Sequence, residues 1–234
     1  MPSHDQIAAV LGTEILRGIH RAGDNMPPEP ALIRRFRVSR TVMREVTKTL
    51  AAKGFVISKR RIGTRVRDPV HWNYFDADVL AWRVRMGLDA QFLRSLTEIR
   101  RALEPAAAAL AARRRTPADI AMLRRHVSDM ARPSHTRQSF AESDLAFHRE
   151  IGVASGNLLI RSVGSVIEAA LVASFRYSSP IDRSRNQAAA VHNHAAIVAA
   201  IEARDAEAAA QAMLRVINLG ARRIAMKRKR GSGL

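Results

Sequence analysis

Apolar residues in the first third of the chain come in short groups divided by basic and turn-forming stretches. Further along they recur at helical spacing through long alanine-rich runs. Ile7, Val10, Leu11, Ile15 and Ile19 follow the helical period and predict a helix from about Asp5 to His20. The stretch AGDNMPPEP reads as a turn, and a short helix is expected over Glu29 to Phe36. Next comes a helix with Ser39 as N-cap, with Val42, Val46 and Leu50 facing inward and Gly54 closing it. FVIS and TRVR are β-prone, and KRRIG is the hairpin tip between them. Three helices and a two-stranded wing make a winged helix-turn-helix.

After Arg67 the pattern is helical only. ADVLAWRVRM predicts one helix, and a long one bent at Pro105 follows from LDAQF onward. A helix capped by Thr116 comes next, with Pro117 at its first position. Further helices are expected over Arg137–Ala154, Asn157–Arg176, Ile181–Ala203 and Ala206–Met226. The fold class is therefore mainly α: an N-terminal winged helix-turn-helix and a C-terminal antiparallel helical bundle of six or seven helices. The expected division is 1–68 for the DNA-binding domain, 69–88 for a linker with a linking helix, 89–228 for the bundle and 229–234 for a basic tail. Trp72, Tyr74, Phe75 and Trp82 are candidates for packed coupling between domains, or for ordinary interface core.

Charge narrows the partner. Lys and Arg number 39 against 21 Asp and Glu, a net charge of +18. Such an excess points to an anionic polymer, since neutralising phosphates releases counterions. The chain has no Cys, so any metal must be held by His and carboxylate. No apolar run reaches the length of a membrane span, and no leader pattern opens the chain, so a cytoplasmic protein without a membrane partner is expected.

Arg40, Thr41, Arg44 and Lys48 lie opposite the apolar face of RVSRTVMREVTKTL. Arg at the N-terminal end of a recognition helix can grip guanine edges, and Ser39 and Thr41 sit where hydroxyls meet phosphate. Arg60 and Arg61, beside Lys59 on the wing tip, would track the backbone, and Gly63 allows close approach to a groove. The expected partner is a double-stranded DNA operator, read by a homodimer.

A second constellation lies in ESDLAFHREIG. Phe140, Asp144, His148 and Ile151 share one helical face, so a carboxylate and an imidazole look inward among apolar neighbours. His194 falls in line with Val191, Val198 and Ile201. Asp144, His148 and His194 make a plausible three-ligand site for a divalent metal; an Asp–His hydrogen-bonded pair without metal fits the same pattern. Arg100 borders the apolar stripe of Leu93, Leu96, Leu103 and Leu110, whereas Arg101 sits with Arg94, Glu98 and Glu104 on a polar face. Arg100 suits a carboxylate effector or an internal salt bridge.

VSRTVMREVTKTLAAKGFV followed by GTRV resembles the GntR family of bacterial regulators. That resemblance makes Arg40, Arg44 and Gly63 base- or groove-contacting positions. Pro30 stands where many relatives carry a charged residue, so no phosphate contact is predicted there. EIRRALEPAAAALAARR, DLAFHREIGVASGN and HAAIVAAIEARDAEAAAQAM resemble the FCD ligand-binding domain of the FadR subfamily. Metal-binding members use an Asp, the His four later and two further His. Here the fourth position is Val216, so the set is incomplete: water or effector fills the gap, or metal binding is weak or absent. WNYFDADVLAW and the lack of His at 216 resemble a sugar-acid-responsive group within the subfamily. The resemblance implies a repressor of an aldonate (galactonate-like) operon, released by an effector whose carboxylate meets Arg100 and whose hydroxyls meet the metal or Asp144, His148 and His194. The rival classes are a regulator for another small carboxylate, a metal-dependent hydrolase with a DNA-binding head, and a sequence-neutral DNA binder. No HExxH and no nucleophile elbow supports the hydrolase.

Overall fold

A computed structural model of the chain describes residues 2–59, 63–87, 89–177, 179–182 and 184–231. They form two compact units, Met1–Gly87 and Leu88–Leu234.

The first unit opens with α1 (His4–Leu16). Ser3 accepts from the Gln6 amide while the Gln6 side chain accepts from Ser3, a reciprocal cap that satisfies two orphan donors. The helix stops short of the expected His20 because Arg17 caps it and Gly18 turns left-handed at φ 74°. Ile19, counted on the apolar face in the sequence, is therefore 61% exposed. α2 (Glu29–Phe36) ends at Arg37, which is left-handed at φ 54°. α3 (Arg40–Ala52) is capped by the Ser39 hydroxyl, which accepts from the Val42 amide. Ile7, Leu11, Ile15, Leu32, Met43, Val46, Leu50 and Phe55 fill the space between the helices.

β1 (Val56–Lys59) and β2 (Gly63–Val66) pair antiparallel, Val56 opposite Val66 and Ser58 opposite Thr64. The stretch expected to be only a turn lies along the other edge of β2. Met26 N–H donates to Thr64 O at 2.7 Å, Gly23 N–H to Val66 O at 3.0 Å, and Arg65 Nε to Gly23 O at 2.6 Å. That edge of the wing is thus not left as a row of bare backbone groups.

α4 (Ala77–Met86) matches the predicted linking helix in extent, and it packs into the first unit. Trp82 is 4% exposed and lies over Gly12, where a Cβ would come within 2.2 Å of the ring. Phe55 stacks on Trp72 with centroids 4.9 Å apart. Gly54, at φ 81°, passes so close to His71 that a Cβ would sit 2.1 Å from its carbonyl oxygen. Lys53 Nζ reaches Asp76 at 2.8 Å and Asp78 at 2.8 Å, tying the end of α3 to the start of α4. Tyr74 packs against this core, while Phe75 is 54% exposed.

The regular elements of the second unit, among its described residues, are all helical: α5 (Ala90–Arg114), α6 (Pro117–Met130), α7 (Arg137–Ala154), α8 (Leu158–Ser162), α9 (Gly164–Tyr177), α10 (Ser184–Glu202) and α11 (Ala206–Gly231), with a 3₁₀ turn at Pro180–Asp182. α5 runs through Pro105 and packs against α7, α9, α10 and α11. Thr116 caps α6 and Thr136 caps α7, each in a reciprocal box. The single helix expected from Asn157 divides at Val163, which caps α8 before Gly164 opens α9. α11 continues to Gly231 rather than ending at Met226, so the start of the expected basic tail is helical. Phe140, Phe147, Ile151, Leu123, Met130, Ile197, Ile201 and Met213 centre the core.

Gly12→Ala is expected to destabilise the first unit by about 1–3 kcal/mol, the usual cost of overpacking a filled core. Trp72 and Trp82 are the two tryptophans and both lie in this unit, so urea unfolding followed by tryptophan emission reads it directly. An unchanged midpoint would refute the close α1–α4 contact.

Candidate functional site

Two surfaces carry chemistry. On the first unit, Arg40, Thr41, Arg44 and Lys48 are exposed on α3. Arg40 Nε lies 3.5 Å from Glu29, and Lys48 Nζ lies 2.8 Å from Glu45. Both pairs are exposed and therefore weak, so DNA phosphate can displace them. Arg44 has no ion pair among the described residues. Ser39 is used as the helix cap, which leaves its hydroxyl proton to donate. Gly63 is exposed at φ 100°, a backbone angle that disfavours any side chain. Arg60 and Arg61 lie outside the described residues. A hollow of about 260 Å³ runs between α3 and the wing, edged by Arg44, Lys48, Ser58 and Thr64.

In the second unit the three predicted ligands are brought together. Asp144 is 4% exposed, His148 3% and His194 2%, and one ligand atom from each lies within 4.8 Å of the others. α7 supplies Asp144 and His148 one turn apart; α10 supplies His194. The His194 Nδ1 donates to Ala190 O at 2.7 Å, so in the neutral ring the lone pair sits on Nε2. That Nε2 is 3.0 Å from Asp144 Oδ1. Two lone-pair atoms cannot face each other at that distance without a proton or a cation between them. His148 Nε2 lies 3.7 Å from Asp144 Oδ2, while its Nδ1 lies 2.5 Å from Glu104 Oε2. The nitrogens His148 Nδ1, His148 Nε2 and His194 Nε2 are buried and off the line of a hydrogen bond.

This arrangement fits a divalent metal. Two ligands at right angles, each roughly 2.1 Å from an ion, are separated by about 3.0 Å. Two imidazoles and one carboxylate on one side leave coordination positions open on the other. Val216, the position of the missing fourth ligand, lines the same cavity with Arg100, Gly220 and Arg223.

Two residues of this site are absent from the sequence-based set. Glu104, read there on a polar face, is 2% exposed. Its carboxylate receives Arg100 Nε at Oε1, and Arg100 Nη2 at Oε2 across 3.3 Å. The internal salt bridge allowed for Arg100 is thus present, with Glu104 as its partner. Burial alone would raise the Glu104 carboxyl, but Arg100 and His148 outweigh it and hold it at about 2. Asp144 is likewise held below the ordinary carboxylate value: burial opposes this, and His194, His148 and Arg100 prevail. Arg223 is the other addition. Its Nε is buried without a hydrogen-bond partner, and burial lowers its pKa while Asp144 raises it. The spacing of Val216, Gly220 and Arg223 on α11 puts all three on one face, a pattern legible in the sequence.

The space enclosed is about 30 Å³, room for roughly one water or an ion but not for a sugar acid.

Comparison with known proteins gives a consistent picture. The family described as bacterial regulatory proteins, gntR family, matches residues 3–66, and the FCD domain matches residues 95–219. The chain is 31% identical to the galactonate operon transcriptional repressor of Escherichia coli K12, over 94% of this chain and 96% of that protein. It is 34% identical to the HTH-type transcriptional regulator YieP of the same organism, over 89% and 91%. Among solved structures, Lar, which controls the agr system of Listeria monocytogenes, shares the fold with a TM-score of 0.61 at 18% identity, over 97% of this chain and 98% of that one.

Glu104 generates an acid-side prediction. A carboxyl held near 2 when folded, against an ordinary 4.5, contributes stability above pH 4.5 that is lost as pH falls toward about 2. In chelator, the slope of unfolding free energy with pH across that window, read by circular dichroism, should be shallower in the double variant Arg100→Gln/Glu104→Gln. Equal slopes would sink it.

Proposed function

The chain belongs to the GntR family of bacterial regulatory proteins and carries an FCD domain, and from that premise we propose that it represses a sugar-acid operon and leaves its operator when an aldonate enters the second unit. The family is one of transcriptional regulators, which sets aside the hydrolase alternative. The observation that carries the reading is one cavity holding a two-imidazole, one-carboxylate cluster beside half-buried Arg223, whose Nε is buried and has no hydrogen-bond partner among the described residues. It occurs in a chain similar over almost its whole length to a galactonate operon repressor.

A 2-hydroxy acid matches such a site. Asp144, His148 and His194 would hold a divalent cation (zinc, nickel or manganese class), which supplies Lewis acidity and two or more open positions for ligand oxygens. Arg223 is the cation left to meet the effector's carboxylate, through paired N–H donors. Arg100 borders the same cavity and reaches the effector only by exchanging Glu104 for it. Val216 in place of a protein ligand keeps one coordination position for the effector.

Because the cavity described is far smaller than an aldonate, entry requires the helices around it to move. A ligand that binds only the opened arrangement shifts the population toward it, which is sufficient to couple binding to DNA release. In the first unit, Arg40 and Arg44 read base edges while Ser39, Thr41, Lys48, Arg60, Arg61 and the Gly63 turn follow the backbone. Two copies in a homodimer place two α3 helices on the half-sites of a palindrome. Among the described residues no helix is long and apolar enough to cross a membrane. We assign the protein to the cytoplasm, where its operator is.

Thermal denaturation with a panel of aldonates and other small carboxylates tests the sensing reading. Aldonates should raise the transition temperature by mass action, and chelator should abolish the rise. Arg223→Ala should lose the response and still bind operator DNA. A response confined to non-sugar acids would move the assignment to another carboxylate, and no response at all would refute it.

For the DNA face, Arg44→Ala should cost about 1–3 kcal/mol and relax the base preference at one position. Lys48→Ala should weaken all sequences alike and lower the salt slope by about one. Equal affinity of the unaltered protein for operator and random DNA would favour a sequence-neutral binder.

A further inference from the structure

Glu104 is a buried carboxylate that stands outside the candidate ligand cluster of Asp144, His148 and His194. It sits behind that cluster. One end of its carboxylate holds Arg100, and Oε2 approaches the Nδ1 of His148 at 2.5 Å. On the other imidazole, the Ala190 carbonyl occupies the equivalent place, accepting from His194 Nδ1 at 2.7 Å. His194 is thus engaged at Nδ1, His148 Nδ1 lies against Glu104 off the line of a hydrogen bond, and both rings turn Nε2 toward Asp144. Metal-binding histidines are commonly fixed in this way, by an acceptor on the nitrogen that does not bind the ion.

We infer that Glu104 is a positioning residue for the metal site, and that Arg100 acts through Glu104 rather than on the ion. The inference rests on the metal reading above. Glu104 keeps the Nδ1 of His148 protonated, which leaves the Nε2 lone pair for the cation. Arg100 holds the Glu104 carboxylate in place through Nε on Oε1 and Nη2 on Oε2. A plain structural role, a one-turn ion pair on α5, would leave metal affinity untouched.

The test is the Zn²⁺ dissociation constant of the full chain, measured in competition with a chromophoric chelator. It compares the unaltered protein with Arg100→Gln, Glu104→Gln and the double variant Arg100→Gln/Glu104→Gln. Glu104→Gln leaves the Arg100 charge buried and unpaired, which destabilises the fold; the double variant removes both charges and carries the comparison. Glu104→Gln and the double variant should bind Zn²⁺ roughly ten- to a hundredfold more weakly, the usual effect of losing an outer-shell acceptor. Arg100→Gln, which keeps the acceptor but removes the group that holds it, should weaken Zn²⁺ binding less than either variant that loses Glu104. Imidazole ¹⁵N spectra in chelator should show His148 as the Nδ1-protonated tautomer in the unaltered protein and not in the double variant. Zn²⁺ binding in the double variant equal to that of Arg100→Gln, with the tautomer unchanged, would overturn the role of Glu104 alone. Absence of Zn²⁺ binding in the unaltered protein would overturn the metal reading, and this inference with it.

Discussion

A charge cannot remain ionised inside an apolar bundle unless another charge or a set of donors stands against it, and the second unit is organised around that constraint. Arg100, Glu104, Asp144, His148 and His194 are all at most 7% exposed. Taken singly each would be expelled, protonated or deprotonated, since isolated burial of an ion costs several kcal/mol. Together they form a chain: Arg100 against Glu104, Glu104 against His148, both imidazoles against Asp144. The chain closes at one end, where guanidinium meets carboxylate. At the other end it stays open, with imidazole nitrogens facing a carboxylate and Arg223 nearby with a buried, unpartnered Nε. In the proposed reading a cation and an anionic ligand are the two species that would complete it.

The first unit obeys a constraint of space rather than charge. Gly12 and Gly54 are tight because Trp82 and the His71 backbone press on them. The aromatic residues of the segment after the wing therefore belong to the core of the DNA-binding head, and Lys53 with Asp76 and Asp78 fixes the end of α3 to the start of α4. The start of α4 is thus joined to the end of α3 by packed rings and by Lys53 with half-buried Asp76 and exposed Asp78, not by a slack tether.

Much of this was legible in the residues. Ser39, Thr116 and Gly54 mark helix ends because caps depend on local chemistry alone, and Asp144 and His148 declare their inward face through Phe140 and Ile151. Errors arose where local and tertiary signals part. Ile19 fits the apolar period of α1, but Gly18 turns the chain before it. Glu104 looked solvated because charged residues usually are. Its true face is set by Ala107, Ala108 and Ala111, small residues that let α5 lie close to its neighbours and bury whatever stands one turn before them. Arg100 and Glu104, four apart, were already on one face, so a correct reading of either fixes the other. Arg223 was missed for a different reason: its spacing from Val216 and Gly220 places it on their face, but the basic run around it gives no sign of which arginine is half-buried, and the cavity does.

That cavity also bears on how a sensor can be both stable and responsive. The proposed sensing carries a condition: a ligand that binds two states equally shifts neither, so an effector must prefer one arrangement of the helices. Phe147, Leu171 and Ile197 pack in the core around the cluster, and the free space there is about 30 Å³. Arg223 Nε lies buried beside it without a hydrogen-bond partner among the described residues. In that reading an acid's oxygens would supply the partner this packing withholds, and a preference for acids would follow from the same unpaired donor.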